Sequence, residues 1–341
     1  MSIDPLVVAD YDAALFVVRE EVRQRLLARV GAWQTAQQGA GVPAGDQVVI
    51  LAGERGVGKT WLLRHLAEQD PQVAPLAVYL DLEERLGFSM PEHYVEAVKE
   101  RIRQRRGGAE AILLLDTVPS QLDESLRALE DAVLRPHLTQ RGSLAIMALM
   151  HPSQVCWRAP VLRAGERYPL APFDQAQTRE QLQRLGRAGL MTRRVQAATI
   201  QRYSGGLPLL NYLLATRARA EAFEALLAHW FSRVPPDERE RIRRYLEVVC
   251  TLDVLEHAPI RRMLELFCSH CPDVAECPAH PIGVLNLLRK YWLGQPAPGS
   301  PGCIILVGSV GRAVRELLKA RDADLYAKLE EAAHGVSRRR E

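Results

Sequence analysis

Charge of one sign is what this chain most lacks. Its formal net charge is +3 over 341 residues. Charge alone therefore gives no argument for nucleic acid. No apolar run approaches the roughly 20 residues that cross a bilayer. The Met1 end has no basic stretch leading into an apolar one, so no secretory signal is expected and the expected compartment is cytoplasmic. Cysteine is scarce: Cys156, Cys250, Cys268, Cys271, Cys277 and Cys303. In a reducing compartment these are not expected to form disulfides. No repeat of 20–50 residues is present, which excludes solenoids and propellers. Hydrophobic residues at 48% and charged residues at 25% are ordinary globular values, and the length allows two or three domains.

What is present centres on Gly53-Glu54-Arg55-Gly56-Val57-Gly58-Lys59-Thr60. The stretch fits G-x-x-x-x-G-K-[ST], a phosphate-binding loop. Gln47 to Ala52 reads as a buried strand feeding it. Trp61 to Leu66 reads as the helix leaving it. Gly53, Gly56 and Gly58 let the backbone curl, with Val57 and Trp61, so that N–H groups point at phosphate oxygens. The helix N-terminus adds partial positive charge. Lys59 is expected to reach the β- and γ-phosphates, and the Thr60 hydroxyl to ligate Mg²⁺.

Further apolar runs follow at Leu76–Leu82, Ala111–Asp116 and Ser143–Met150, with a short fifth at Tyr168–Leu170. Helical patterns lie between them, including Pro91–Arg106 and Leu122–Leu138. Strands alternating with helices predict an α/β fold with a parallel, doubly wound sheet. After Pro172 the pattern is helical, with short helices to Phe231. Pro235-Pro236-Asp237 marks a boundary, with Asp237 read as an N-cap. Helices at Glu238–Cys250, Ala258–Phe267 and Val284–Trp292 precede a β-hairpin, the order of a winged helix. The expected domains are a P-loop core over 1–172, a helical lid over 173–234 and a winged-helix domain over 235–341.

Asp116 ends its strand in an acid and is expected on the Mg²⁺ side, acting with Lys59 in catalysis. Thr117 follows it, where many P-loop ATPases carry a second, water-activating acid. Threonine is no base at neutral pH, so slow or absent hydrolysis is expected. His151 follows the fourth strand. If that strand lies between the P-loop strand and the Asp116 strand, His151 projects toward the γ-phosphate; otherwise it is a surface-loop histidine. Arg135, Arg141 and Arg158 are each a candidate arginine finger or an exposed ion-pair partner.

Ser204-Gly205-Gly206-Leu207-Pro208-Leu209-Leu210 resembles the GLPL motif of the STAND signalling ATPases. These include the NB-ARC and NACHT groups and are relatives of the AAA-plus and origin-recognition ATPases. Phe16-Val17-Val18-Arg19-Glu20 resembles their N-terminal F-x-G-R-E box, with Val18 in place of the glycine. The segment Tyr168 to Asp174 is similar to the one that opens their lid. The resemblance implies a five-stranded core, a lid and a winged helix closed around ADP. It implies Pro208 against the adenine and the backbone around Arg19 beside it. It implies an ATP/ADP switch whose exchange promotes assembly with a protein partner or with further copies of itself. Adenine over guanine follows from the resemblance, and no N-K-x-D guanine reader is visible. The family's winged-helix histidine has no counterpart in Leu306 to Val310.

Cys268, Cys271, Cys277 and His280 form C-x2-C-x5-C-x2-H. That set suits tetrahedral Zn²⁺. The spacing also occurs among iron–sulfur ligands, with Cys250 as a remote fourth, and incidental thiols remain a third reading. The helix Val284–Trp292 occupies the recognition-helix position. It is mostly apolar and is expected to pack into protein, so DNA is not favoured. The alternatives to a switch are an origin-recognition-like DNA-binding ATPase and a scaffold that keeps its nucleotide unhydrolysed.

Overall fold

The computed structural model describes residues 11–38, 47–107, 110–118, 123–150, 157–232, 234–270, 280–297, 300 and 302–337. The chain divides into two units, Ala9–Pro172 and the part that contains Phe173–Glu341.

Five strands build the first unit: β1 (Val48–Ala52), β2 (Ala77–Asp81), β3 (Ile112–Asp116), β4 (Leu144–Leu149) and β5 (Glu166–Pro169). Every pairing is parallel, in the order β2-β3-β4-β1-β5. Strands β1, β3 and β4 are buried at every residue. Their apolar runs follow from that: a parallel strand covered on both faces has no solvent side to mark with polar residues. β4 lies between β1 and β3, the condition under which a residue after β4 would project toward the loop, and β2 lies at the edge. The helices α1 (Glu20–Gln37), α2 (Lys59–Glu68) and α3 (Pro91–Arg106) belong to this unit. α4 (Glu124–Leu129), a π-helical segment (Glu130–Leu134) and α5 (Arg135–Thr139) run on from one another, and α6 (Pro160–Arg163) follows β4. One helix was expected across Leu122–Leu138. The π-helical segment interrupts it, and Glu130, buried there, accepts a hydrogen bond from the Ala159 backbone N–H.

The second unit begins with α7 (Gln175–Arg187). Asp174 and Gln177 close a capping box at its start, which satisfies two of its orphan donors. α8 (Ala197–Ser204), α9 (Pro208–Thr216) and α10 (Arg219–Phe231) follow. A polar network joins three of these helices. Thr178 Oγ1 donates to Gln201 Oε1 at 2.6 Å and Asn211 Nδ2 donates to Gln181 Oε1 at 2.9 Å. Next come α11 (Pro236–Val249), α12 (His257–His270) and α13 (Pro281–Lys290), then the antiparallel pair β6 (Gly294–Pro296) and β7 (Ile304–Leu306). α14 (Gly308–Arg321) and α15 (Ala323–Ser337) end the described chain. The expected N-cap Asp237 is instead in the first turn of α11, because Pro236 opens the helix and Pro235 takes the cap position. This is an α/β P-loop NTPase fold with a helical C-terminal region. No helix among the described residues is long and apolar enough to cross a membrane.

Candidate phosphate-binding site

The loop 53–58 joins the C-terminal end of β1 to α2. The Gly53 N–H donates to Leu149 O of β4 at 3.1 Å. A Cβ on Gly53 would lie 2.8 Å from the Leu170 carbonyl oxygen, so glycine is what lets β5 pass this close. Gly58 has φ +98° and is the N-cap of α2. A side chain at that left-handed position would be strained. No side chain caps α2, which leaves its first N–H groups to an anion. The Lys59 ammonium donates to Gly53 O at 2.6 Å and to Glu54 O at 3.0 Å. Desolvation pushes its pKa down to about 8, against the pull of Asp116 and Glu54. Thr60, in the first turn, is exposed.

Asp116, only 3% exposed, ends β3. Its two oxygens have different partners. Oδ1 accepts from the Thr117 N–H at 2.8 Å and Oδ2 accepts from the Tyr79 hydroxyl at 2.7 Å. Thr117 has φ +55°, an uncommon backbone for a β-branched residue. Tyr79 lies on β2 opposite Leu114. In a pleated sheet this puts it on the face that Asp116 shares. Burial and the neighbouring carboxylate raise the Tyr79 pKa well above the usual tyrosine value. The Arg64 guanidinium of α2 lies 5.4 Å from the Tyr79 ring centroid.

The N-terminal segment packs on α2. Phe16 stacks on His65 with ring centroids 4.5 Å apart, and Tyr11 meets Trp61 edge-on at 5.7 Å. The Tyr11 hydroxyl lies 3.0 Å from His65 Nδ1. Buried Arg19 turns its guanidinium to the carbonyls of Val57, in the loop, and Ala171, beyond β5. Desolvation lowers its pKa to about 10.

One unit thus brings together Arg19, the loop, Lys59, Thr60, Trp61 and Asp116. Pro208 belongs to the other unit, where it opens α9 and its carbonyl accepts from Gln181 at 2.9 Å. His151 lies outside the described residues, as do Cys271 and Cys277. Cys268 is disulfide-bonded, against the expectation of reduced thiols. The His280 Nδ1 accepts from the Ile282 N–H at 3.4 Å. Among the described residues no group of three or more His, Cys, Asp or Glu is placed to hold a metal ion. Arg135 pairs at 3.5 Å with exposed Asp131 of the preceding π-helical segment.

Sequence reasoning missed Tyr79 and the side-chain role of Arg19. The signal for Tyr79 was a polar-tipped aromatic on an otherwise apolar strand next to the one that ends in Asp116. For Arg19 it was an arginine inside an apolar stretch.

The residues present suit a phosphate chain and a divalent cation. An uncapped helix start, an ammonium and an exposed hydroxyl belong to the loop, and a carboxylate with both oxygens already oriented ends a strand of the same sheet. No family model matches the chain, and no curated protein matches it. Among solved structures it is similar to the Thermotoga maritima RuvB Holliday junction branch migration motor, at 15% identity, over 88% of this chain and 95% of that one, with a TM-score of 0.44. It is similar to the Aeropyrum pernix ORC2 protein in ADPNP–ADP complexes, at 13% identity, over 90% and 96%, with a TM-score of 0.46. It is also similar to the Aeropyrum pernix ORC1 protein in complex with DNA, at 15% identity, over 94% and 97%, with a TM-score of 0.38. These likenesses are distant.

Proposed function

We propose that the chain binds ATP and ADP with Mg²⁺ at the loop 53–58 and is a slow P-loop ATPase of the broad AAA-plus kind. The observation that carries this is the uncapped start of α2 behind Gly58 and Lys59, in one unit with the buried Asp116. Lys59 and the loop N–H groups hold phosphate oxygens. Thr60 and Asp116 hold the cation, which would neutralise charge on the phosphates. Thr117 offers no base beside Asp116, so turnover is slow. Single-turnover hydrolysis of ATP tests this. A slow phase lost in Lys59→Ala supports it, and ATP left intact for hours supports the non-hydrolysing scaffold instead.

Two finer readings differ in partner. A STAND-type switch that works with a protein partner, or with copies of itself, rests on the resemblance at 204–210, where Pro208 would meet the base. An origin-recognition-like DNA-binding ATPase has an observation of its own. α13 buries Pro281, Val284, Leu285 and Leu288, but exposes Asn286, Arg289 and Lys290. The sequence reading had this helix packed into protein; it packs on one face only, and the exposed face has polar side chains of the type that read DNA. Arg289 also donates to the Gly302 carbonyl, and Lys290 pairs with Glu238 at 3.2 Å. The exposed polar face is what supports the second reading. A duplex that binds with affinity falling steeply as salt rises, and that Arg289→Ala releases, supports it. No binding at low salt sinks it.

A further inference from the structure

We infer that Tyr79 is a positioning residue for Asp116, and that it tunes how strongly a divalent cation supports nucleotide binding at the loop 53–58. The inference rests on the proposed nucleotide site and adds to it a residue of the neighbouring edge strand.

The geometry begins with the sheet. Tyr79 on β2 pairs with Leu114 of β3, two residues before Asp116. Side chains two apart on a strand share a face, so the ring of Tyr79 reaches diagonally across the ladder and its hydroxyl donates to Asp116 Oδ2 at 2.7 Å. The Thr117 N–H takes Oδ1 at 2.8 Å. Two donors on two oxygens fix both the rotation and the tilt of the carboxylate. The remaining lone pairs are those that a cation, or a water bound to it, would meet. The Arg64 guanidinium of α2 lies 5.4 Å from the centroid of the same ring and is also a hydrogen-bond partner of its hydroxyl. Tyr79 thus links the helix that starts at Lys59 to the carboxylate that ends β3.

Groups that orient a metal-binding carboxylate without touching the metal act on metal affinity, and their loss typically weakens it about 10–100-fold. Tyr79→Phe removes the hydroxyl and keeps the ring that packs against Arg64. The measurement is the affinity of the full chain for ADP by calorimetry, with Mg²⁺ and in EDTA, for wild type, Tyr79→Phe, Asp116→Asn and the double variant. Thermal melting in EDTA serves as a folding control. In wild type, Mg²⁺ strengthens ADP binding. In Tyr79→Phe the ratio of the two affinities falls about tenfold, and the Mg²⁺ concentration for half-maximal effect rises by a similar factor. In Asp116→Asn the ratio approaches one, and adding Tyr79→Phe changes it no further, because the hydroxyl reaches the cation through the carboxylate. A Tyr79→Phe ratio equal to wild type overturns the inference while leaving the nucleotide site standing. So does an equal loss with and without Mg²⁺, which marks a merely structural role. A wild type that binds no ADP in either buffer overturns the proposed function itself.

Discussion

Methionine at position 19 separates what Arg19 does for stability from what it does for the loop. The guanidinium donates to the carbonyls of Val57 and Ala171. Methionine keeps an apolar stem of similar length and offers no donor. A hydrogen bond from a charged group is worth about 1.5–3 kcal/mol. Val57 is fully buried, so its carbonyl is left alone; Ala171 is exposed and its carbonyl regains water. The main loss is therefore one bond, about 1.5–3 kcal/mol. An opposite effect exists. Desolvation lowers the Arg19 pKa to about 10, which corresponds to roughly 3 kcal/mol against the buried cation. Methionine relieves that. The two effects nearly cancel, and the melting temperature of Arg19→Met is expected within a few degrees of wild type. The loop is a different matter. Without its tie, Val57 must be ordered when phosphate binds, so ADP affinity falls about 10–100-fold, the factor that 1.5–3 kcal/mol represents. Arg19→Lys, able to reach one carbonyl, falls between. Calorimetry and thermal melting on the same samples read both quantities. A large fall in melting temperature with wild-type ADP affinity would refute the reasoning, because Arg19 would then hold the fold and not the loop.

Three further outcomes follow from the same structure. With the Lys59 pKa near 8, its charged form fades as pH rises; ADP affinity is expected flat below about pH 8 and falling above it, with proton uptake on binding in calorimetry at pH 8–9. Burial lowers the pKa of His65 and of His137 below the ordinary 6.5. The unfolded chain then takes up protons first, so stability drops as pH falls below about 6.5, and His137→Leu flattens that slope in chemical denaturation. Glu247 is buried in the second unit, gripped by Arg321 at 2.7 and 2.8 Å and beside Arg243 at 3.6 Å. Glu247→Ala removes the acceptor and is expected to destabilise that unit by about 1–3 kcal/mol, seen as an earlier melting transition.

The core was legible because burial on both faces writes itself as apolar runs. Strands β1, β3 and β4 were readable for that reason; the order of β4 between β1 and β3 was left open, because strand order depends on pairing that no local pattern records. The loop was legible because few residues other than glycine can lie at Gly53 and Gly58. Helix ends were less so: Pro236 displaced the expected cap at Asp237, since proline fits the first helical position as well as aspartate fits the cap. Tyr79 was illegible for a different reason. Its partner lies 37 residues away, and only strand register brings the two together. The face of α13 was misjudged because its apolar residues dominate its composition, whereas what it presents depends on which four of them the neighbouring helices cover.

The most direct test of the central claim is ADP and ATP binding to the purified chain, with Lys59→Ala alongside. The account predicts micromolar or tighter binding of adenine nucleotides, strengthened by Mg²⁺ and lost in Lys59→Ala. No measurable affinity for any nucleotide, or equal affinity in wild type and Lys59→Ala, would contradict it.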